Sequence, residues 1–245
     1  MKIRLDQLLV ERGLADSREK ARALILAGSV SVNGQKSDKP GHSYSSDCRI
    51  EMAARMPYVS RGGLKLAAAL DAFGIAVKGR ICLDIGASTG GFTDCLLQRC
   101  AARVWAVDVG HGQLDWKLRN DPRVVVREGV NARQLAQEDF PERFGLAVCD
   151  VSFISATLII PSIVLLLDEP ALDKHGEMVI LVKPQFEVGR DQVGKGGIVR
   201  EPELHQAACD RVREAVEVLG FRTELMESPI LGAEGNHEFL LYGRR

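Results

Sequence analysis

The segment 81-ICLDIGASTGGF-92 decides the fold of this chain, because its apolar strand pattern runs directly into a glycine-rich turn. Residues 81–85 are apolar around a single aspartate, which is typical of a strand buried on both faces. The small residues between Gly86 and Gly91 let a ligand approach the backbone at the N-terminus of the helix that follows. The segment therefore predicts the first strand and the ligand-binding turn of an α/β domain.

Further apolar runs follow along the chain and are separated by stretches of helical character. They lie at residues 104–108, 124–126, 146–150, 178–183, 221–227 and 238–242. Continuous apolar strands that alternate with helices are typical of a parallel sheet with helices on both faces. The loop between the final two strands is short enough to make that pair antiparallel. We therefore expect a Rossmann-like α/β sheet of seven strands, the last of them antiparallel.

The turn after the first strand is compatible with two kinds of cofactor. Asp108 closes the second strand, about 22 residues beyond Gly86, where dinucleotide-binding folds place the acidic residue that binds ribose hydroxyls. However, Ser88 replaces the second glycine of the dinucleotide pattern, and the carboxylate of Asp84 would repel a pyrophosphate. S-adenosylmethionine, whose amino and sulfonium groups are cationic, suits an acidic turn better, and a dinucleotide is the alternative. The residues expected to bind S-adenosylmethionine are Asp84, Gly86, Ala87, Ser88, Gly90, Gly91, Phe92, Asp108, Asn131 and Asp150.

Four separated charged residues lie where an apolar strand or helix meets a loop, and they form the candidate catalytic set. They are Lys65, Asp150, Lys183 and Glu238. Charged groups at the ends of apolar elements are costly to bury unless they pair or take part in chemistry. Each residue taken singly is more simply explained as a surface charge, so the four indicate a site only as a set.

The first sixty residues carry a separate pattern. A short apolar helix ends at Gly13, a second helix begins after Ser17 and ends at Gly28, and the Asn-Gly pair at 33–34 predicts a hairpin. This part holds ten Lys and Arg against seven Asp and Glu, whereas the remainder holds twenty-two against twenty-six. A small basic module attached to a weakly acidic enzyme suits a polyanionic partner.

The stretches 4–9 and 17–34 resemble the S-four-type RNA-binding module, with its basic helix, glycine stop and hairpin in the same order. The resemblance implies that residues 1–57 form a domain that binds structured RNA through backbone phosphates, and that a second domain spans residues 58–245. A solvated basic helix face is the alternative explanation of the cations. The cations expected to contact RNA here are Arg4, Arg18, Lys20 and Arg22.

Five motifs mark the remainder of the chain. They are SRGGLKL at 60–66, DIGASTGGFT at 84–93, CDVSFIS at 149–155, LVKPQFE at 181–187 and GNHEF at 235–239. Together they resemble the TlyA-type rRNA 2′-O-methyltransferases, a family also called hemolysins and related to the FtsJ-like RNA methyltransferases. The resemblance implies a class I S-adenosylmethionine-dependent methyltransferase with the four candidate residues as its Lys-Asp-Lys-Glu tetrad. The implied substrate is a cytidine 2′-hydroxyl of ribosomal RNA within a ribosomal subunit.

The chemistry of such a reaction suggests a role for each member of the tetrad. A ribose 2′-hydroxyl is a weak nucleophile and must lose its proton as it attacks a methyl group. Lys183 is the expected base, because desolvation and the charge of Lys65 would lower its pKa from ~10.4. Asp150 and Glu238 are expected to orient the lysines, and their charges oppose that shift.

A second group of cations lies close to the tetrad in the sequence. Residues 189–200 combine glycine with basic residues, and we expect a mobile loop that clamps RNA phosphate, with a flexible linker as the alternative. Arg61 precedes the helix of Lys65 and is expected to join them. The cations predicted to bind RNA in this part are Arg61, Arg190, Lys195 and Arg200.

Composition limits the remaining possibilities. The six cysteines lack zinc-site spacing, so we expect free thiols and no metal. No apolar stretch approaches the ~20 residues that cross a bilayer, and no signal peptide is visible, so we expect a cytoplasmic protein without membrane insertion. No DNA partner is expected. Two alternatives to an enzyme are a non-catalytic ribosome-binding or assembly factor and a membrane-active hemolysin.

Overall fold

The computed structural model describes residues 2–52, 56–167, 176–232 and 235–245. The chain folds into two compact units, Met1–Met56 and Pro57–Arg245. Each unit has its own apolar core, as expected for parts that bury their hydrophobic faces separately.

The N-terminal unit packs two helices against short strands. Ser17 caps the second helix, because its Oγ accepts a hydrogen bond from the backbone N–H of Lys20 at 3.2 Å. Asn33 and Gly34 both have positive φ angles, as a tight hairpin of this twist requires. The elements are β1 (Lys2–Arg4), α1 (Leu5–Glu11), α2 (Arg18–Leu26), β2 (Val30–Val32), β3 (Gln35–Lys36), β4 (Ser43–Ser45) and β5 (Ile50–Met52).

The C-terminal unit is a sheet with helices on both faces. Its strands are β6 (Ile81–Ile85), β7 (Arg103–Val107), β8 (Val124–Arg127), β9 (Leu146–Cys149), β10 (Glu177–Val182), β11 (Arg222–Glu227) and β12 (Phe239–Arg244). Its helices are α3 (Gly62–Ala72), α4 (Gly91–Gln98), α5 (Trp116–Arg119), α6 (Ile160–Leu166), α7 (Pro184–Glu187) and α8 (Pro202–Glu217). Two apolar clusters, one on each face, form the core.

The strand order of this sheet is β11-β12-β10-β9-β6-β7-β8. Strands β6 to β10 pair in parallel, and β12 pairs antiparallel with both β10 and β11. The prediction of a seven-stranded α/β sheet with an antiparallel last strand is therefore confirmed. Reversal of β12 brings its first residue, Phe239, opposite Val182 at the end of β10. The start of β12 thus lies at the same sheet edge as the carboxyl ends of the parallel strands.

The strand order reverses direction at the pair β6 and β9. Ligands of open α/β sheets bind at such switch points, because the loops after the two central strands lead away in opposite directions. Gly86 follows β6 with a φ of +78°, and a side chain there would collide with the backbone carbonyl of Asp150 after β9. Glycine is therefore required for the two strand ends to lie this close.

Candidate active site

The four candidate catalytic residues meet at this sheet edge. Asp150 follows β9, Lys183 follows β10, Glu238 precedes β12, and Lys65 lies in the first turn of α3. All four line one cavity of about 270 Å³. The topology explains the meeting, because parallel strand ends and the start of a reversed strand share one edge.

The four side chains form two ion pairs. Lys183 Nζ lies 2.6 Å from Asp150 Oδ1, and Lys65 Nζ pairs with Glu238 Oε2. Both lysines and the glutamate are buried, whereas the Asp150 side chain is 24% exposed. Buried charges are tolerated where each has a partner of opposite sign, so the paired arrangement explains how four ions can occupy one small cavity.

A larger cavity of about 490 Å³ adjoins the first, since Gly86, Ser88 and Asp150 line both. Its polar wall is built around Asp108, which follows β7. Asp108 Oδ2 accepts a hydrogen bond from Ser88 N and Oδ1 accepts one from Gly110 N, both at 2.7 Å. The carboxylate is thereby fixed in orientation, and its remaining lone pairs are available to a ligand.

Most residues predicted to bind a cofactor line one of the two cavities. They are Gly86, Ala87, Ser88, Gly91, Phe92, Asp108, Asn131 and Asp150. Asp84 and Gly90 line neither, which differs from the prediction. Gly90 has a φ of +96° at the start of α4, and Leu114 and Leu118 occupy the space where a side chain would project.

Asp84 lies beneath the glycine turn, fully buried. Its Oδ2 accepts a hydrogen bond from Thr93 Oγ1 at 2.5 Å, and its Oδ1 has no hydrogen-bond partner among the described residues. Burial raises the pKa of Asp84 to about 7, and the charges of Asp150 and Asp108 act in the same direction while Thr93 opposes the shift. Asp84 therefore lies beneath the turn and outside the lining of both cavities.

The predicted RNA-binding cations of this unit lie in different surroundings. Arg61 lines the cavity of the tetrad. Arg190, Lys195 and Arg200 are exposed on the segment that follows α7 and line neither cavity. The expected mobility of this segment stays a prediction. The structure shows a turn that is held by hydrogen bonds. They join Gly194 N to Ile198 O at 3.0 Å, Val199 N to Asn236 Oδ1 at 3.1 Å and Asn236 Nδ2 to Gly197 O at 3.0 Å.

The predicted cations of the N-terminal unit are exposed, and three of them have acidic partners. Arg4 Nη2 and Arg18 Nη2 lie 3.0 and 3.1 Å from Asp6 Oδ2. Lys20 pairs with Asp16 one helical turn earlier. The remaining one, Arg22, is exposed on α2. The unit therefore presents its basic residues to solvent, with two guanidinium groups oriented by one carboxylate.

Two residues of the site were missed by sequence reasoning. Ser152 Oγ accepts a hydrogen bond from Lys183 Nζ at 2.7 Å. Phe153 is 93% exposed, has a φ of +67° and lies beside Phe186, with ring centroids 5.4 Å apart. A bulky residue in the left-handed region is uncommon and is often found at functional sites. Both belong to the CDVSFIS motif, of which only the aspartate was given a role.

The fold and the site define the C-terminal unit as a Rossmann-like methyltransferase, with a cavity at the switch point and a Lys-Asp-Lys-Glu cluster beside it. The chain belongs to the FtsJ-like methyltransferase family, whose model matches residues 58–245. A model of the S4 domain matches residues 3–46. The resemblance noted in the sequence is thereby confirmed.

Named relatives extend over nearly the whole chain. The 16S/23S rRNA (cytidine-2′-O)-methyltransferase TlyA of Mycobacterium tuberculosis is 47% identical over 244 residues, which cover 98% of this chain and 89% of that protein. YqxC of Bacillus subtilis is 50% identical over 244 residues, covering 98% of this chain and 85% of that protein. A solved structure from Streptococcus thermophilus, provisionally named a hemolysin, has a TM-score of 0.75 and 44% identity, covering 100% of this chain and 88% of that one.

Within the described parts of the chain, no helix combines the length and apolar character needed to cross a membrane. No group of three or more His, Cys, Asp and Glu residues in those parts could hold a metal ion.

Proposed function

We propose that this chain transfers a methyl group from S-adenosylmethionine to the ribose 2′-hydroxyl of a cytidine in ribosomal RNA. One observation carries the proposal: the amino group of Lys183 lines the smaller, charged cavity and pairs with Asp150, which lines both cavities. A base in that position lies beside a nucleotide in the smaller cavity and next to the cavity proposed for the cofactor.

The larger cavity fits the proposed cofactor. The two oxygens of Asp108 are fixed by backbone N–H groups and can still accept hydrogen bonds from ribose hydroxyls. Val130 and Ile159 supply apolar surface for an adenine ring, and Asp150 offers a negative charge to the cationic end. The volume of about 490 Å³ is within the range of small-molecule sites. When bound, S-adenosylmethionine supplies an electrophilic methyl group on its sulfonium sulfur.

The tetrad handles the proton of the ribose hydroxyl. Lys183 Nζ would accept that proton as the ribose oxygen takes up the methyl group that S-adenosylmethionine would supply. Asp150 stabilises the ammonium that results. Lys65, paired with Glu238, faces the same cavity and stabilises negative charge that develops on the ribose oxygen.

Three features support ribosomal RNA as the substrate. The relative from Mycobacterium tuberculosis, named for cytidine 2′-O-methylation of 16S and 23S rRNA, matches both units. The S4 domain presents Arg4 and Arg18 to solvent for phosphate contacts. Beside the cavity, Phe153 offers an exposed ring on which an unpaired base can stack.

The proposal is tested by transfer of tritiated methyl groups to ribosomal subunits that lack the modification. Wild-type protein is compared with Lys183→Ala and with Lys183→Arg, which keeps the positive charge but cannot act as a base. We expect both variants to lose about 10²- to 10⁴-fold in rate, because removal of a general base has effects of this size. Nuclease digestion and mass spectrometry should locate the label as 2′-O-methylcytidine.

Three results would contradict the proposal. Label on a base instead of a ribose would show a different reaction. Full activity of Lys183→Arg would show that the charge of the lysine matters and its proton transfer does not. Tight S-adenosylmethionine binding without transfer to either subunit would favour another RNA or a non-catalytic ribosome-binding role.

A further inference from the structure

The amino group of Lys183 is held at two points. Its Nζ forms an ion pair with Asp150 Oδ1 at 2.6 Å and donates a hydrogen bond to Ser152 Oγ at 2.7 Å. Lys183 is buried, whereas Ser152 is exposed and the Asp150 side chain is 24% exposed. Ser152 carries no charge, and its contact with the lysine therefore contributes direction more than Coulomb attraction.

A neutral lysine amine carries two N–H bonds and one lone pair on its nitrogen. Asp150 Oδ1 attracts the amine by its charge but accepts no hydrogen bond from the described residues, so the direction of an N–H bond is fixed by Ser152. With one N–H bond directed at Ser152 Oγ, rotation about Cε–Nζ is restricted, and the lone pair keeps two tetrahedral directions instead of three. We infer that Ser152 is a positioning residue that aims the lone pair of Lys183 at the ribose 2′-hydroxyl, and this inference rests on the proposed function.

The loop that carries Ser152 is fastened to the segment that carries the lysine. Buried Glu187 lies four residues after Lys183 and accepts hydrogen bonds from Ser155 Oγ at 2.5 Å and Ala156 N at 2.8 Å. Lys183 and Ser152 thus belong to two segments, and the hydrogen bonds of Glu187 join these segments a few residues after the lysine and the serine. The position of the serine oxygen is therefore set by the fold and not by a free loop.

Several ionisable groups surround the lysine amine and remain in place when Ser152 is changed. Asp150 pairs with it, and the other groups are Lys65, Glu238 and Arg61, which line the same cavity, and buried Cys149 and Asp84 nearby. Removal of the serine oxygen therefore leaves these charges unchanged and removes only the direction that the hydrogen bond imposes on the amine.

The test uses Ser152→Ala, with Ser152→Thr as the matched control that keeps the hydroxyl. Single-turnover methyl transfer to unmodified ribosomal subunits is followed at saturating S-adenosylmethionine. We expect Ser152→Ala to lower the single-turnover rate about five- to ten-fold, because one hydrogen bond is lost. Ser152→Thr should keep the wild-type rate. The KM for the subunit and the affinity for S-adenosylmethionine should change less than about two-fold.

A double variant decides whether the serine acts through the lysine. In a Lys183→Ala background, Ser152→Ala should leave the residual rate unchanged, and a further loss there would overturn the inference. A wild-type single-turnover rate in Ser152→Ala would also overturn it, as would an effect confined to KM. Absence of methyl transfer by the wild-type protein would instead contradict the proposed function, so the two failures are distinguishable.

Discussion

Two buried carboxylates, Asp6 in the N-terminal unit and Asp84 in the C-terminal unit, differ in the donors that surround them. Their exposed fractions are 1% and 0%, so burial is nearly the same. Asp6 accepts hydrogen bonds from the guanidinium groups of Arg4 and Arg18 and from the backbone N–H of Gln7, at 3.0–3.1 Å. Asp84 accepts one hydrogen bond, from the Thr93 hydroxyl, and its second oxygen has no hydrogen-bond partner among the described residues.

The donors and the surroundings together decide the charge of each carboxyl. The hydrogen bond from Arg4, which outweighs the opposing effect of burial, lowers the pKa of Asp6 to about 2. Asp6 is covered by the side chains of Arg4 and Arg18, which are themselves 47% and 54% exposed, whereas Asp84 lies inside the sheet. Burial therefore dominates at Asp84 and raises its pKa to about 7. Two carboxyls with the same exposed fraction can thus serve as a permanent anion in one unit and a proton-binding group in the other.

The largest consequence concerns the pH dependence of the C-terminal unit. The folded pKa of Asp84 lies above its unfolded value, so the folded state keeps a proton that the unfolded state releases, and stability falls as pH rises from about 4 to about 7. Between pH 5 and pH 8, the free energy of unfolding of the wild-type unit should fall by an amount on the order of 3 kcal/mol. Asp84→Asn, which cannot titrate, should abolish this fall. Urea unfolding followed by tryptophan fluorescence measures this unit alone, because both tryptophans, Trp105 and Trp116, lie in it.

Asp71→Asn is the matched control for this measurement. Asp71 is an exposed carboxyl of the same unit whose pKa is lowered by its hydrogen bond from Arg99, so it stays ionised above pH 5. Its replacement should leave the pH dependence between pH 5 and pH 8 unchanged. A wild-type protein whose stability is flat over that range would show that Asp84 is already ionised in the folded state, and the contrast with Asp6 would disappear.

A smaller effect is expected from Asp6→Asn. The folded pKa of Asp6 lies below its unfolded value, so its stabilisation is complete above about pH 4 and is lost as pH falls towards 2. The Asp6→Asn substitution should therefore lower the free energy of unfolding of the N-terminal unit by about 2 kcal/mol at neutral pH. Amide hydrogens of α1 and α2 should then exchange about thirty-fold faster. Asp16→Asn, at an exposed carboxyl paired with Lys20, is the control and should change exchange little.

Binding to RNA separates two roles of Asp6. Removal of a negative charge should strengthen binding to a polyanion if charge alone mattered. If the carboxylate orients Arg4 and Arg18 for phosphate contacts, Asp6→Asn should instead weaken binding although the net charge rises. Tighter binding at every salt concentration would show that Asp6 only stabilises the fold.

The tetrad could be predicted from the sequence because its members lie in recognisable motifs at the ends of strands. Lys65 and Glu238 are 173 residues apart, and only the insertion of reversed β12 beside β10 brings them together. The pairing of lysines with carboxylates was expected in outline. Which lysine faces which carboxylate depends on strand order and side-chain direction, and local sequence patterns do not contain that information.

Asp84 lies outside the lining of both cavities for a reason that strand geometry explains. Side chains alternate along β6, so Leu83 and Ile85 face one apolar cluster while Cys82 faces the other. Asp84 shares the direction of Cys82 and points towards Thr93 of α4. Its position beside the glycine turn in the sequence suggested a ligand contact, but the two-residue period of the strand directs its side chain at α4.

The smallest predicted effect distinguishes the two arginines that hold Asp6. Arg4 donates through Nε and Nη2 to both carboxylate oxygens, whereas Arg18 donates through Nη2 to one. Lysine keeps the charge but lacks the planar fork, so Arg4→Lys should raise the Asp6 pKa by less than about one pH unit, and Arg18→Lys should raise it less. Carbon-13 NMR titration of the Asp6 carboxyl measures both changes.

The same two variants test whether the fork itself matters for RNA. Because lysine preserves the charge, the salt dependence of RNA binding should be unchanged in both variants. A fall in affinity at constant salt dependence would therefore report lost geometry. If Arg4→Lys weakens binding more than Arg18→Lys, the arginine that makes more hydrogen bonds to Asp6 also contributes more to the binding surface. Unchanged affinity in both variants would mean that Asp6 holds the arginines for stability alone.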